Sequence, residues 1–162
     1  MNPISETTLA AAMAFGQAEA KDQTIQVFSP GLVPATQGAS EFFVGDVYVD
    51  QLYQGTAPAA ISGGLVSFTP GARTAWHTHP LGQTLYVVSG LGRVQMAEGP
   101  VQAIRPGDLV WIPAGVKHWH GAAPDTPMTH LALAERQDGQ VVTWLAQVSE
   151  RDYRASVAGD RN

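Results

Sequence analysis

From about Phe42 onward, apolar residues fall in short runs that alternate with polar ones, and glycine or proline separates the runs. Period-two alternation of this kind marks strands with one buried face. It predicts strands at Phe43–Gln51, Ser62–Phe68, Arg73–His79, Thr84–Ser89, Gly92–Ala97, Val101–Ile104, Leu109–Ile112, His118–Gly121, Met128–Glu135 and Val142–Val148. Turns are expected at Pro70-Gly71, Gly90, Glu98-Gly99-Pro100, Pro106-Gly107 and Pro113-Ala114-Gly115. Gly90-Leu91-Gly92 reads as a hairpin turn, since the third glycine and the following helix of a dinucleotide fingerprint are missing. Many short strands with regular turns make an all-β sandwich or barrel.

Either side of this region the pattern weakens. Residues 1–20 read as a short amphipathic helix or a loose arm, with Thr7 and Thr8 placed to cap a helix through Leu9, Met13 and Phe15. Residues 29–40 hold Pro30, Gly31, Pro34 and Gly38 and read as a connecting segment. Ser149 with Asp152 three residues later resembles a capping box, so a short C-terminal helix is expected. The chain thus divides into an arm and linker (1–41), a barrel (42–148) and a tail (149–162).

Composition narrows the chemistry. The 162 residues suit one domain, and 44% hydrophobic with 14% charged residues suits a well-buried core. The net charge is −5 with no Lys/Arg run, which argues against nucleic acid or an anionic membrane as partner. Leu9–Phe15 is apolar but follows Glu6 rather than a basic start, and no later stretch approaches the length of a membrane span, so a cytoplasmic location is the expectation. Cysteine is absent, so any metal must be held by nitrogen and oxygen.

The five histidines, at 77, 79, 118, 120 and 130, all fall in the strand-rich half. His77 and His79 are two apart, which on a strand puts both imidazoles on one face; His118 and His120 repeat the arrangement. His130 shares a face with the small Ala132 and Ala134, which leaves room beside it. One histidine on an apolar strand is more often a hydrogen-bonded core or surface residue than a ligand. Two such pairs are different, because burying several imidazoles without a partner is costly and a shared metal is the usual solution. Trp76, Trp111, Trp119 and Trp144 are expected to pack the core or a subunit contact. Val66 and Gly64 share a strand face and would narrow a pocket, and Arg73 is expected to face solvent.

Two segments carry a resemblance. Gly71, five residues, His77-Thr78-His79, three residues, Gln83, six residues, Gly90 resembles the first cupin motif in its spacing. Gly107, five residues, Pro113-Ala114-Gly115, two residues, His118 resembles the second. The resemblance covers about residues 42–146 and implies a single cupin (jelly-roll) β-barrel. It implies one divalent metal per chain, held by His77, His79, Gln83 and His118. Three imidazoles and an amide oxygen suit Mn²⁺, Fe²⁺, Ni²⁺ or Zn²⁺. The sequence departs from many cupins in having Gln83 in place of a carboxylate, and Ala122 where the second motif often ends in asparagine. Four neutral ligands leave the ion its full +2 charge, which favours Lewis-acid chemistry.

More narrowly, Pro70–Leu85, Lys117–Pro124 and Met128–Leu133 are similar to the cupin hydroxynitrile lyases, oligomers that contain manganese and cleave or form cyanohydrins such as mandelonitrile. That resemblance implies manganese as the metal, a small-molecule substrate and a homo-oligomer, dimer or tetramer. His130 then becomes the candidate base and His120 the residue orienting substrate or nitrile, with Val66, Gly64 and Ala134 shaping the substrate pocket. The competing functions are a metal-dependent dioxygenase or isomerase of a small hydroxy-carbonyl compound, and a non-catalytic small-molecule-binding module.

Overall fold

The computed structural model describes residues 24–158; the helix or arm expected over residues 1–20 lies outside them. The strands are β1 (Thr36–Gln37), β2 (Phe43–Val44), β3 (Val47–Gln54), β4 (Ile61–Phe68), β5 (Arg73–Thr74), β6 (His77–Thr78) and β7 (Gln83–Gly90). They continue with β8 (Gly92–Met96), β9 (Gln102–Ile104), β10 (Leu109–Ile112), β11 (His118–Ala122), β12 (Met128–Glu135) and β13 (Thr143–Trp144), and one helical turn, α1 (Glu150–Tyr153), follows. Two antiparallel sheets face each other, as the motifs implied. One runs β1-β3-β4-β12-β7-β10. In the other, β11 is flanked on one side by β8 and on the other by β6 and β5, with β9, β13 and β2 outside them.

The observed strands correct the expected ones where the backbone bends. Phe43–Gln51 is two strands, because Gly45 takes φ +77°, a left-handed conformation that glycine alone adopts freely. Arg73–His79 is also two strands, interrupted at Ala75-Trp76, and both halves pair with the same strand, Arg73 opposite Gly121 and His77 opposite His118. The linker read over 29–40 contains β1, which pairs with β3. The last expected strand shrinks to Thr143–Trp144.

The hairpin at Gly90 forms as expected. Its φ is +82°, and a Cβ there would sit 1.8 Å from the Pro127 carbonyl oxygen. Next to it, the register between β12 and β7 slips: Thr129 faces Ser89, but His130 faces Val87. The extra residue on β7 is a β-bulge, a feature that re-aims neighbouring side chains.

Two apolar clusters hold the sheets. Phe43, Val47, Phe68, Val87, Val94 and Met128 fill one end of the barrel. Trp76, Val101, Trp119, Val148 and Tyr153 cover the outer face of the second sheet. All five residues of β11 are therefore buried, with alternate side chains sealed on opposite sides. The covering segment is tied down by the expected cap, the Ser149 hydroxyl accepting from the Asp152 N–H at 3.0 Å. The Tyr153 hydroxyl donates to the Ala122 carbonyl at 2.8 Å. Arg73, expected in solvent, is 6% exposed: its guanidinium lies 4.4 Å from the Tyr153 ring centroid and donates to Val148 O and to the Glu150 carboxylate. A cation is buried here because an aromatic face, a carbonyl and a carboxylate receive it.

Candidate functional site

The inner face of β11 and the adjoining β6 edge bring three imidazoles together. His77, His79 and His118 are all buried, and each offers one ring nitrogen within 4.8 Å of the other two. The pairing of His77 with His118 sets their rings 4.2 Å apart. His79 lies just past the end of β6, where its carbonyl accepts from Gly115 at 2.9 Å. Its ring stands edge-on to His77, with centroids 5.2 Å apart. Gln83, the first residue of β7, places Oε1 3.2 Å from His118 Nε2.

The tautomers follow from the outer contacts. Each Nδ1 lies against a backbone carbonyl: His77 on Ala75 at 2.9 Å, His79 on Val141 at 2.7 Å and His118 on Val116 at 2.8 Å. A carbonyl only accepts, so each Nδ1 carries the proton and each Nε2 a lone pair. Carbonyls that fix the tautomer in this way are the usual support of metal-binding imidazoles. His79 Nε2 is buried without a partner. His118 Nε2 and Gln83 Oε1 face each other as two acceptors, and a cation between them satisfies both. The residues present fit a divalent ion held by nitrogen and oxygen.

His120 and His130 lie beside this cluster and meet each other, with His130 Nε2 3.0 Å from His120 Nδ1. The His120 backbone N–H donates to Thr74 Oγ1 at 3.2 Å, and Phe68 packs against both rings. His77, His79, Gln83, His120 and His130 open on a cavity of about 360 Å³. Its other walls are mainly apolar and include Gly64, Val66 and Ala134, the three residues expected to shape it. His118 lies behind them, on the wall of a second depression between β8, β9 and β10.

Several lining residues escaped the sequence. Trp144, read as a packing residue, stacks on Phe42 and lies 4.9 Å from the His77 ring. Its alternation with Val142, which also lines the cavity, was the available signal. Thr36–Ala39, read as linker, form part of the rim. Among the other tryptophans, Trp76 and Trp119 are buried, whereas Trp111 is exposed.

The description "Cupin domain" belongs to the family that matches residues 64–133. A curated relative named (R)-mandelonitrile lyase, from Granulicella tundricola, is 54% identical over 118 residues, covering 73% of this chain and 90% of the relative. The chain belongs to the cupin family. Among solved structures, this cupin is similar to a cupin-like protein from Thermotoga maritima, with 36% identity and a TM-score of 0.71, covering 83% of this chain and 99% of that one. A polyketide cyclase from Streptomyces resistomycificus, 19% identical with a TM-score of 0.59 over 80% of this chain and 91% of that one, shares the fold alone.

Burial controls the electrostatics of the cupin's histidines. Loss of hydration pushes His130 and His118 down to about 4 and lowers His77, His79 and His120, with the neighbouring imidazoles adding to the effect at His77 and His120. All five rings are therefore neutral in the fold near pH 7. An unfolded chain protonates its imidazoles near pH 6.5. Between that value and about 4 the unfolded state binds more protons, so stability is present above pH 6.5 and is lost as the pH falls toward 4. For His130 alone the difference corresponds to about 3 kcal/mol. Metal-stripped cupin should show a melting temperature that drops steadily from pH 7 to pH 4.5; a flat profile would contradict the neutral, buried state of these rings.

Proposed function

We propose that the protein is a metal-dependent hydroxynitrile lyase that cleaves or forms cyanohydrins, with His77, His79, Gln83 and His118 holding one divalent ion per chain. Manganese is the first candidate, and iron, nickel and zinc fit the same donors. The observation that carries the reading is the second imidazole pair, His120 and His130, lining an apolar cavity next to the three-imidazole cluster. A site that only stored a metal would have little use for it. The similarity to a protein named (R)-mandelonitrile lyase supports the substrate class.

Cleavage of a cyanohydrin removes the hydroxyl proton while the carbon–carbon bond to the nitrile breaks, and the bonding pair leaves with cyanide. When bound, the ion supplies Lewis acidity toward the hydroxyl oxygen, and Gln83 adds no negative charge to offset it. His130 takes the hydroxyl proton as a neutral imidazole, and His120 orients the nitrile. Val66, Gly64 and Ala134 set the room beside them, and the apolar walls limit water.

The test is benzaldehyde release from mandelonitrile, corrected for spontaneous decay, with and without a chelator and with dissolved oxygen monitored. Release that depends on metal and consumes no oxygen is expected. Oxygen uptake without release would replace the lyase by a dioxygenase, and neither activity would leave a binding module.

We also propose a homo-oligomer built on the outer face of the first sheet. Tyr86 and Val88 on β7 and Leu109 and Trp111 on β10 are exposed there, Leu109 at 70% and Trp111 at 60%. Leu109 pairs with Tyr86 across adjacent strands, and β10 is a sheet edge. An uncharged face is where two copies of an acidic chain approach without repulsion, and an isologous contact also covers the edge. Light scattering should give a dimer or tetramer mass at micromolar concentration, and Trp111→Glu should shift it toward the monomer. A monomeric wild type would refute this.

A further inference from the structure

We propose that residues 24–28 dock as an added strand on a second copy of this chain, along the free edge of its β10, and close the depression that lies behind His118. The proposal rests on the homo-oligomer reading above and names what covers that edge.

The segment carries the pattern of a strand but belongs to no strand of its own copy. Ile25 and Val27 alternate with Thr24 and Gln26, the period that puts two apolar side chains on one face. Ile25 is 96% exposed and Val27 78% exposed. Leu32 and Val33, which follow, are exposed as well. From Gln23 to Ser40 the chain carries no charge, against a net −5 for the whole. An uncharged, alternating, solvent-exposed run of this kind suits addition to another sheet's edge.

The acceptor has matching properties. β10 pairs with β7 on one side and ends the first sheet on the other. Beyond that edge, between β8, β9 and β10, lies the second depression, of about 400 Å³. Met96, Leu109 and Trp111 line it and are exposed to solvent. Asp108 is the one carboxylate among the described lining residues, and its Oδ2 already accepts from the Arg105 N–H at 2.7 Å. The four residues of β10 match a five-residue partner in length. Main-chain hydrogen bonds along the edge supply the pairing, and Ile25 and Val27 cover the apolar walls.

The chain's own β10 is out of reach of this segment. Phe28 stands edge-on to Tyr53 of β3, with ring centroids 6.0 Å apart. In the sheet order β3 and β10 are separated by four strand spacings, about 19 Å at the usual distance between neighbours. Ile25 lies three residues from Phe28, a reach of about 10 Å. A two-fold axis removes the conflict, each copy's segment lying on the β10 edge of the other.

The docked segment completes the site from behind. His118 and Val116 both line the depression, and the Val116 carbonyl accepts from His118 Nδ1 at 2.8 Å. Val116 is only half-buried in a single copy. A strand laid over it keeps water from competing for that carbonyl. The second copy thereby helps to hold the tautomer in which His118 presents its Nε2 lone pair to the three-imidazole cluster.

The chain has no cysteine, so introduced thiols report position without background. Full-length chains carrying Val27→Cys and Leu109→Cys, co-expressed, should be joined by a short bismaleimide into a covalent dimer, whereas neither chain alone should be. Val27→Asp should lower the light-scattering mass at least two-fold at micromolar concentration. It should also weaken zinc binding about 10-fold, the lower end of the loss usual when a ligand's support is disturbed. An oligomeric wild type with no mixed cross-link, or an unshifted mass in Val27→Asp, would overturn the docking and leave the oligomer standing. A monomeric wild type would overturn both. A monomeric Val27→Asp with unchanged zinc affinity would overturn the seal behind His118.

Discussion

Replacing His77 or His118 by alanine is expected to strip most of the divalent metal from the purified protein. The two residues face each other across the β6–β11 pairing, and each presents an Nε2 lone pair because a backbone carbonyl holds its Nδ1 proton. Removing one leaves two imidazoles and an amide oxygen. Loss of a supporting partner alone typically costs 10–100-fold in metal affinity, and loss of a ligand should cost at least as much. Elemental analysis after dialysis reads the result as metal per chain, with circular dichroism confirming that the barrel is intact. Unchanged metal content in both folded variants would remove the basis for the proposed centre.

His130→Ala should behave in the opposite way, keeping its metal and losing about 10²-fold or more of kcat for mandelonitrile cleavage. The residue lies on β12, outside the three-imidazole cluster, with its Nε2 against His120. The wild-type profile carries a sign of its own. Cleavage needs the neutral ring, and burial places His130 at about 4. The rate should therefore rise as the pH increases through about 4 and level off toward neutrality, rather than rising near the ordinary imidazole value of about 6.5. A variant as active as the wild type would exclude His130 as the base.

The site was legible to the extent that it obeyed local periodicity. The i,i+2 histidines and the alternation of His130 with Ala132 and Ala134 fixed which side chains share a face, and a barrel interior is where such faces converge. The turn residues marked most strand ends for the same local reason. What escaped depended on partners distant in the chain. Arg73 reads as a surface cation until Tyr153, Val148 and Glu150 close over it. Thr36–Gln37 read as linker because two residues show no period, and only pairing with β3 makes them a strand. The interruption at Ala75-Trp76 was equally hidden. It follows from the Ala75 N–H turning to the Phe42 carbonyl and the Trp76 N–H to Ala146, bonds that no local pattern specifies.

The two-sided burial of β11 has a consequence in time. Its outer cover, Val148 and Tyr153, follows it in the chain by roughly thirty residues, and translation proceeds at about 5–20 residues per second. For some seconds on the ribosome, Trp119 therefore has no aromatic partner from α1, and the strand that presents His118 and His120 is open on its outer side. The outer seal of the histidine-bearing strand is thus among the last parts of the described chain to be completed.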